Sequence, residues 1–215
     1  MIHDEEQIKQ YVRLLICDGK IHQIFLAQRS KYQSDEAKLL DKITRPHLQT
    51  YTFPLKSEEQ YVDKVKSFMS LWKDQKTMVL YSTTNERSPK KALKGFMDEV
   101  MRHAFDDQDF SKFLPENLHS FYMASCGHKR WISIDIDDKI QFEPVIASLN
   151  ELGMTYTIVE TRGGYHILID SNIEANKKKL EFVYKQFSKI HYMGDIMCPI
   201  PGTYQGGFPV RFVNK

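Results

Sequence analysis

Between Trp131 and Asp195 the hydrophobic period of the chain changes in an order that few architectures accept. Trp131 to Asp137 (WISIDID) alternates at the two-residue period of a strand. Glu143 to Leu152 carries a helical pattern opened by Pro144 and closed by Gly153, and Thr155 to Glu160 is a β-branched strand. Arg162-Gly163-Gly164 makes a tight turn and Tyr165 to Asp170 (YHILID) returns as a strand. Ser171 or Asn172 then caps a helix to about Ile190, and a further strand begins at Asp195 or just after it. The order is β-α-β-β-α-β, and its most economical fold is an antiparallel sheet of the ferredoxin-like, RRM-like kind. The right-handed crossover rule then sets the first and third strands side by side at the centre, with the fourth on the other flank of the first.

That topology predicts a site. Asp135 and Asp137 are two apart near the end of the first strand and share a face, and the beginnings of the third and fourth strands, carrying His166 and Asp195, lie beside them. Two carboxylates on one strand face repel each other and gain nothing from an apolar core, so the pair calls for a cation. Hard oxygen donors suit Mg2+ or Mn2+, and ions held by a few carboxylates with positions left for phosphate oxygens serve two-metal chemistry on nucleotides and phosphodiesters. The competing interpretation is that the run Asp135 to Asp138 is a solvated strand end with helix-capping acids. His166, next to the backbone amides of Gly163 and Gly164, reads either as a structural histidine or as a triphosphate contact.

The first half is less punctuated. Residues 5 to 17 have helical spacing (Ile8, Tyr11, Val12, Leu15) stopped by Gly19, residues 22 to 28 read as a strand, and Glu58 to Lys73 form an amphipathic helix with Tyr61, Val62, Val65, Phe68, Met69 and Trp72 on its apolar stripe. Met78 to Thr83 is a strand, followed by a polar loop with Asn85 and Arg87 and a helix from about Lys90 to Phe105. Ligands collect on loops at the carboxyl ends of strands, which makes Asn85 and Arg87 candidate substrate contacts; a plain turn into a proline-started helix is the alternative. The 215 residues suit one elaborated domain or two fused units, and 41% hydrophobic with 27% charged residues excludes disorder, collagen and coiled coil. Thirty Lys and Arg against 28 Asp and Glu leave a net charge of +2, which alone announces no nucleic-acid partner. Cys17, Cys126 and Cys198 are odd in number and far apart, and neither a signal peptide nor an apolar run of membrane-spanning length appears. These features predict a reducing, cytoplasmic setting, no membrane partner and no structural zinc.

Three motifs resemble those of the archaeo-eukaryotic primase superfamily, in particular the compact primase-polymerases of plasmids, phages and mobile elements. They are the strand Ile134-Asp135-Ile136-Asp137, the histidine motif Thr161-Arg162-Gly163-Gly164-Tyr165-His166, and Asp195 ahead of Pro201-Gly202-Thr203. The Leu80 to Arg87 segment is similar to the strand and Asn-Pro-Arg loop of the family's N-terminal unit. The resemblance implies an α+β core: an N-terminal α/β unit, residues 1–125, packed on an RRM-like catalytic unit, residues 126–215, with the active site in the cleft between. It implies that Asp135, Asp137 and Asp195 hold two Mg2+ or Mn2+ ions, that His166 contacts the phosphates of an NTP or dNTP, and that Arg87 adds a phosphate or template contact. The implied activity is DNA primase or primase-polymerase synthesis on single-stranded DNA, alongside a helicase or other replication partner.

The chain departs from the family where Gly164 replaces a common serine, passing phosphate binding to Thr161 or to the amides of the glycine turn. No arginine precedes the Pro-Gly, leaving Arg162 or Arg211 as substitutes, and Tyr204, Phe208 and Arg211 in the glycine-rich tail are candidate nucleic-acid contacts, against a plain closing hairpin. Two other activities fit the same residues: a noncatalytic RRM-like single-strand-binding module, and a metal-dependent phosphodiester hydrolase.

Overall fold

The computed structural model describes residues 2–15, 20–29, 49–70, 77–105, 116–187 and 192–213. The elements are α1 (Glu5–Leu15), β1 (Ile21–Gln28), β2 (Gln49–Pro54), α2 (Glu58–Ser70), β3 (Met78–Thr83), α3 (Pro89–Phe105), α4 (Glu116–Ala124), β4 (Trp131–Ile136), a 3-10 turn (Lys139–Gln141), α5 (Phe142–Glu151), β5 (Tyr156–Glu160), β6 (Tyr165–Asp170), α6 (Glu174–Lys177), α7 (Leu180–Phe187), β7 (Tyr192–Gly194), β8 (Met197–Pro199), β9 (Tyr204–Gln205), β10 (Phe208–Pro209) and β11 (Arg211–Val213). The class is α+β. Trp72 and Cys17 lie outside the described residues. Among the described residues no helix is long and apolar enough to cross a membrane.

Among the described residues three antiparallel sheets form: a two-stranded pair, β10-β9, and two larger sheets, one in the order β2-β1-β3-β8 and the other, the second, in the order β11-β5-β6-β4-β7. In the second sheet alternation sorts the side chains cleanly. Ile134 and Ile136 of β4, Ile158 of β5 and Ile167 and Ile169 of β6 pack with Val145 and Leu149 of α5 and Val183 and Phe187 of α7. The opposite face presents Trp131, Val159 and Leu168, which join Ile8 and Tyr11 of α1, Tyr61 and Phe68 of α2, and Leu80 of β3 in one cluster shared by both sheets. That shared face carries the polar residues of interest, because Ser133 and Asp135 follow Trp131 at the same two-residue period.

Some sequence expectations are corrected. The helix expected from residue 171 or 172 to 190 is two short helices, α6 and α7, entered through Ile173 rather than through a Ser171 or Asn172 cap. Asn176 turns inward, with its amide donating to the carbonyls of Thr155 and Asp170 and its oxygen accepting from the Thr155 amide. α4 was not anticipated. A strand does begin just after Asp195, β8 at Met197, but it is not the fourth strand of this sheet: the strand that flanks β4 is β7, which ends at Gly194. The chain then crosses to the other sheet, where β8 pairs with β3, so the sheets do not divide between residues 125 and 126.

Candidate functional site

A cavity of about 270 Å3 opens between the two sheets. Its first wall comes from the first sheet: Phe25 of β1, Arg29 just beyond it, Tyr81 of β3 and Met197 of β8. Its second wall comes from β4, β6 and the turn between β5 and β6, and presents Asp135, Asp137, His166, Thr161 and Gly163, with Gln205 of β9 at the edge. The volume lies just below the range of roughly 300–1,000 Å3 typical of small-ligand sites.

Register explains the second wall. Asp135 is the cross-strand partner of His166, so their side chains stand on one face, and Oδ1 of Asp135 lies 3.4 Å from Nε2 of His166. Burial pushes the imidazole below its ordinary pKa, against the pull of Asp135 and then Asp137. At neutral pH the ring is therefore uncharged, and among the described residues its buried Nδ1 has no hydrogen-bond partner. Among the described residues neither Asp135 nor Asp137 forms an ion pair with lysine or arginine. The run Asp135 to Asp138 divides its work: Asp138 is the capping acid, accepting from the Ile140 amide at 2.9 Å, whereas Asp135 and Asp137 face the cavity.

The turn that delivers His166 is held by Thr161. Its amide donates to the Gly164 carbonyl at 2.9 Å, and its hydroxyl donates to the same carbonyl and accepts from the Gly164 amide, each at 3.2 Å. The hydroxyl expected to bind phosphate is thus engaged within the turn. Gly164 is dictated by contact, since a Cβ there would stand 1.8 Å from the Ile136 carbonyl oxygen. Arg162 is also committed, its amide donating to Oε1 of Gln205 at 2.8 Å and its guanidinium to the Gly206 carbonyl.

Asp195 is not brought to this wall. Its carboxylate accepts from the Arg87 guanidinium at 2.6 Å on Oδ2 and 3.2 Å on Oδ1, and from Nδ2 of Asn85 at 2.8 Å on Oδ1. Asn85 also bonds both backbone groups of Trp131, and Arg87 donates to the Met123 carbonyl. The cluster therefore gathers at the start of β4, while Asp135 and Asp137 stand near its end. The expectation of four convergent groups is corrected to three, with Asn85 and Arg87 likewise withdrawn from the cavity. The cause is the register of β7: Tyr192 is the partner of Asp135 and Gly194 that of Ser133, so Asp195 falls beyond the level of the acidic pair.

The tail residues separate as well. Arg211 pairs across strands with Glu160 at 2.8 Å, Tyr204 packs edge-on against His3, and neither lines the cavity. Phe208 lies with Lys139, whose Nζ is 5.9 Å from its ring centroid. No motif or spacing singles out Arg29 or Tyr81. Arg29 stands 5.7 Å over the Tyr81 ring, placing a cation and an aromatic face opposite the carboxylates.

Among the described residues no group of three or more His, Cys, Asp and Glu side chains is placed to hold a metal ion by itself. Two carboxylates that pair with no lysine or arginine among the described residues nevertheless suit Mg2+ or Mn2+, because such ions keep several waters and are commonly bound by one or two carboxylates together with substrate phosphates. The arrangement can therefore bring a cation, phosphates and a flat apolar group into one cleft. In comparison with known proteins, no family model matches the chain, and no curated protein or solved structure is significantly similar to it.

Proposed function

We propose that the chain is a metal-dependent nucleotidyltransferase of the primase or primase-polymerase kind, acting on single-stranded DNA with NTPs or dNTPs. In this reading β4 to β7 are the RRM-like unit, with the active site in the cleft it shares with the first sheet. One observation carries the proposal: Asp135, Asp137 and His166 face Arg29 and Tyr81 across a single cavity. Acids alone would serve many reactions. Acids opposed by an arginine and an aromatic face fit a ligand with phosphates at one end and a base at the other.

Asp135 and Asp137 would hold Mg2+ or Mn2+, which when bound would lower the pKa of an attacking 3'-hydroxyl and offset the negative charge of the phosphates. His166, uncharged and fixed by its strand, donates a ring N–H to a phosphate oxygen without bringing a cation beside the metal site. Arg29 makes a charge-assisted hydrogen bond to the phosphates from the other wall, and Tyr81 with Phe25 offers the base an apolar face.

The test is incubation with single-stranded DNA, labelled NTPs or dNTPs and Mg2+ or Mn2+, with and without a primer. Synthesis is expected, falling on the order of 1,000-fold in Asp135→Asn or Asp137→Asn, since a metal supplies several kcal/mol to such a transition state. Undiminished synthesis in these variants would remove the carboxylates from the mechanism. Metal-dependent shortening of the strand would assign a phosphodiester hydrolase instead, and binding without metal dependence a noncatalytic module. Arg29→Ala is expected to raise the KM for nucleotide about 10-fold or more, as losing a hydrogen bond to a charged group costs about 1.5–3 kcal/mol. An unchanged KM would take Arg29 out of the nucleotide site.

A further inference from the structure

The chain just beyond Asp137, and Phe208 paired across strands with Gln205, adjoin residues that line the cavity and carry a feature that the chemistry above leaves unused. Asp138 is extended and caps the 3-10 turn Lys139–Gln141 through the Ile140 amide, so the turn is held rigidly. On it Ile140 is 84% exposed, so its apolar side chain stands open to a partner beside the turn. Next to it the Lys139 ammonium lies 5.8 Å from the Tyr165 ring centroid and 5.9 Å from that of Phe208. Tyr165 is itself braced by Phe142, stacked at 3.9 Å with an interplanar angle of 24°. The rim thus combines an apolar knob, a cation and aromatic rings, all fixed by neighbouring structure.

Resting on the nucleotidyltransferase reading, we infer that Lys139, Ile140 and Phe208 form a ledge that grips single-stranded nucleic acid at the mouth of the cavity. The occupant follows from chemistry and position. A nucleic-acid strand presents phosphates and flat apolar bases in alternation. Lys139 meets the phosphates, while Ile140 and Phe208 meet bases by contact and stacking, a mode that tolerates any sequence because every base has a flat face. Position agrees. Lys139 is two positions beyond Asp137, with only the extended Asp138 between them, about 7 Å of chain, so the ledge adjoins the acidic pair and would hold the strand close to the reacting end. A protein partner is less well matched, because the apolar surface is a single knob rather than a patch.

The test is fluorescence anisotropy of a labelled oligothymidylate over a salt series, using the whole chain and the variants Ile140→Ser, Phe208→Ala and Lys139→Ala. Ile140→Ser and Phe208→Ala are each expected to weaken binding at least about fivefold with the salt slope unchanged, because they remove stacking rather than charge. Lys139→Ala is expected to weaken binding and reduce the slope of log affinity against log salt by about 0.7, one phosphate contact on a single strand. Mn2+ binding followed by electron paramagnetic resonance is expected to be unchanged in all three, which separates a lost ledge from a lost fold. If the wild-type chain binds and extends DNA but the variants bind as tightly as it does, the ledge is overturned and the enzyme stands. A wild-type chain that neither binds single strands nor extends them overturns both.

Discussion

Gly164→Ala is expected to destabilise the chain by at least about 3 kcal/mol, the upper range for overpacking, and to lower the unfolding midpoint by roughly 6–12 °C. The reason is contact with backbone. The added Cβ would lie 1.8 Å from the Ile136 carbonyl oxygen, 2.9 Å from its carbon and 3.2 Å from Cα of Asp137, and none of these atoms can swing aside as a side-chain end would. The turn has little freedom to retreat, since Thr161 bonds both backbone groups of Gly164. Any retreat would move His166 on one side and Asp137 on the other. Gly207→Ala is the matched control: it has a φ of +85° and nothing within 4 Å of the added carbon. It carries only the left-handed backbone penalty of about 1–2 kcal/mol. Thermal or denaturant unfolding of the two variants checks this, and equal losses would mean that the close approach of the turn to β4 is wrong.

The second large effect is expected at Arg87 and Asp195. Arg87 has a side chain only 1% exposed, so Asp195→Asn leaves a buried guanidinium without its counter-charge and is expected to cost about 3–5 kcal/mol. The double variant Arg87→Gln with Asp195→Asn removes both charges and leaves amides able to bond each other, and is expected to recover most of that loss. Its metal affinity is the informative quantity. Both oxygens of Asp195 are occupied by Arg87 and Asn85, far along β4 from the acidic pair, so the double variant is expected to bind Mn2+ within about threefold of the wild type, while Asp135→Asn loses binding. A double variant that folds but no longer binds Mn2+ would make Asp195 a metal ligand, as the family resemblance implies.

The parts of the site that were legible in sequence are those written on single strands. The alternation of Trp131 to Asp137 already places Asp135 on the face opposite Ile134 and Ile136, and the glycine pair before Tyr165 already marks the return that sets His166 beside it. Spacing could not tell which acids of the run are caps, because Asp137 and Asp138 differ only in what the following turn asks of them. Asp195 was misplaced for a different reason. β7 is three residues long, and nothing local marks where a strand leaves its sheet; Gly194, at a φ of 139°, is the one trace of that exit. Arg29 and Tyr81 were invisible as site residues because they meet the acids only through the packing of one sheet on another, which no periodicity encodes. The double helix in place of one long one turns on Asn176, a polar residue that satisfies Thr155 and Asp170 rather than solvent.

The crossing of β8 into the first sheet bears on how the molecule comes off the ribosome. β1 to β3 are made early, yet the edge of β3 stays open until Met197–Pro199 arrive, about ten seconds later at roughly 5–20 residues per second. The first helix waits as well, because the His3 and Asp4 amides are received by the Gly202 carbonyl and Ile2 bridges Thr203. Neither sheet is complete until β8 and β11 have been made, so in that interval the nascent chain depends on whatever shields an unpaired strand.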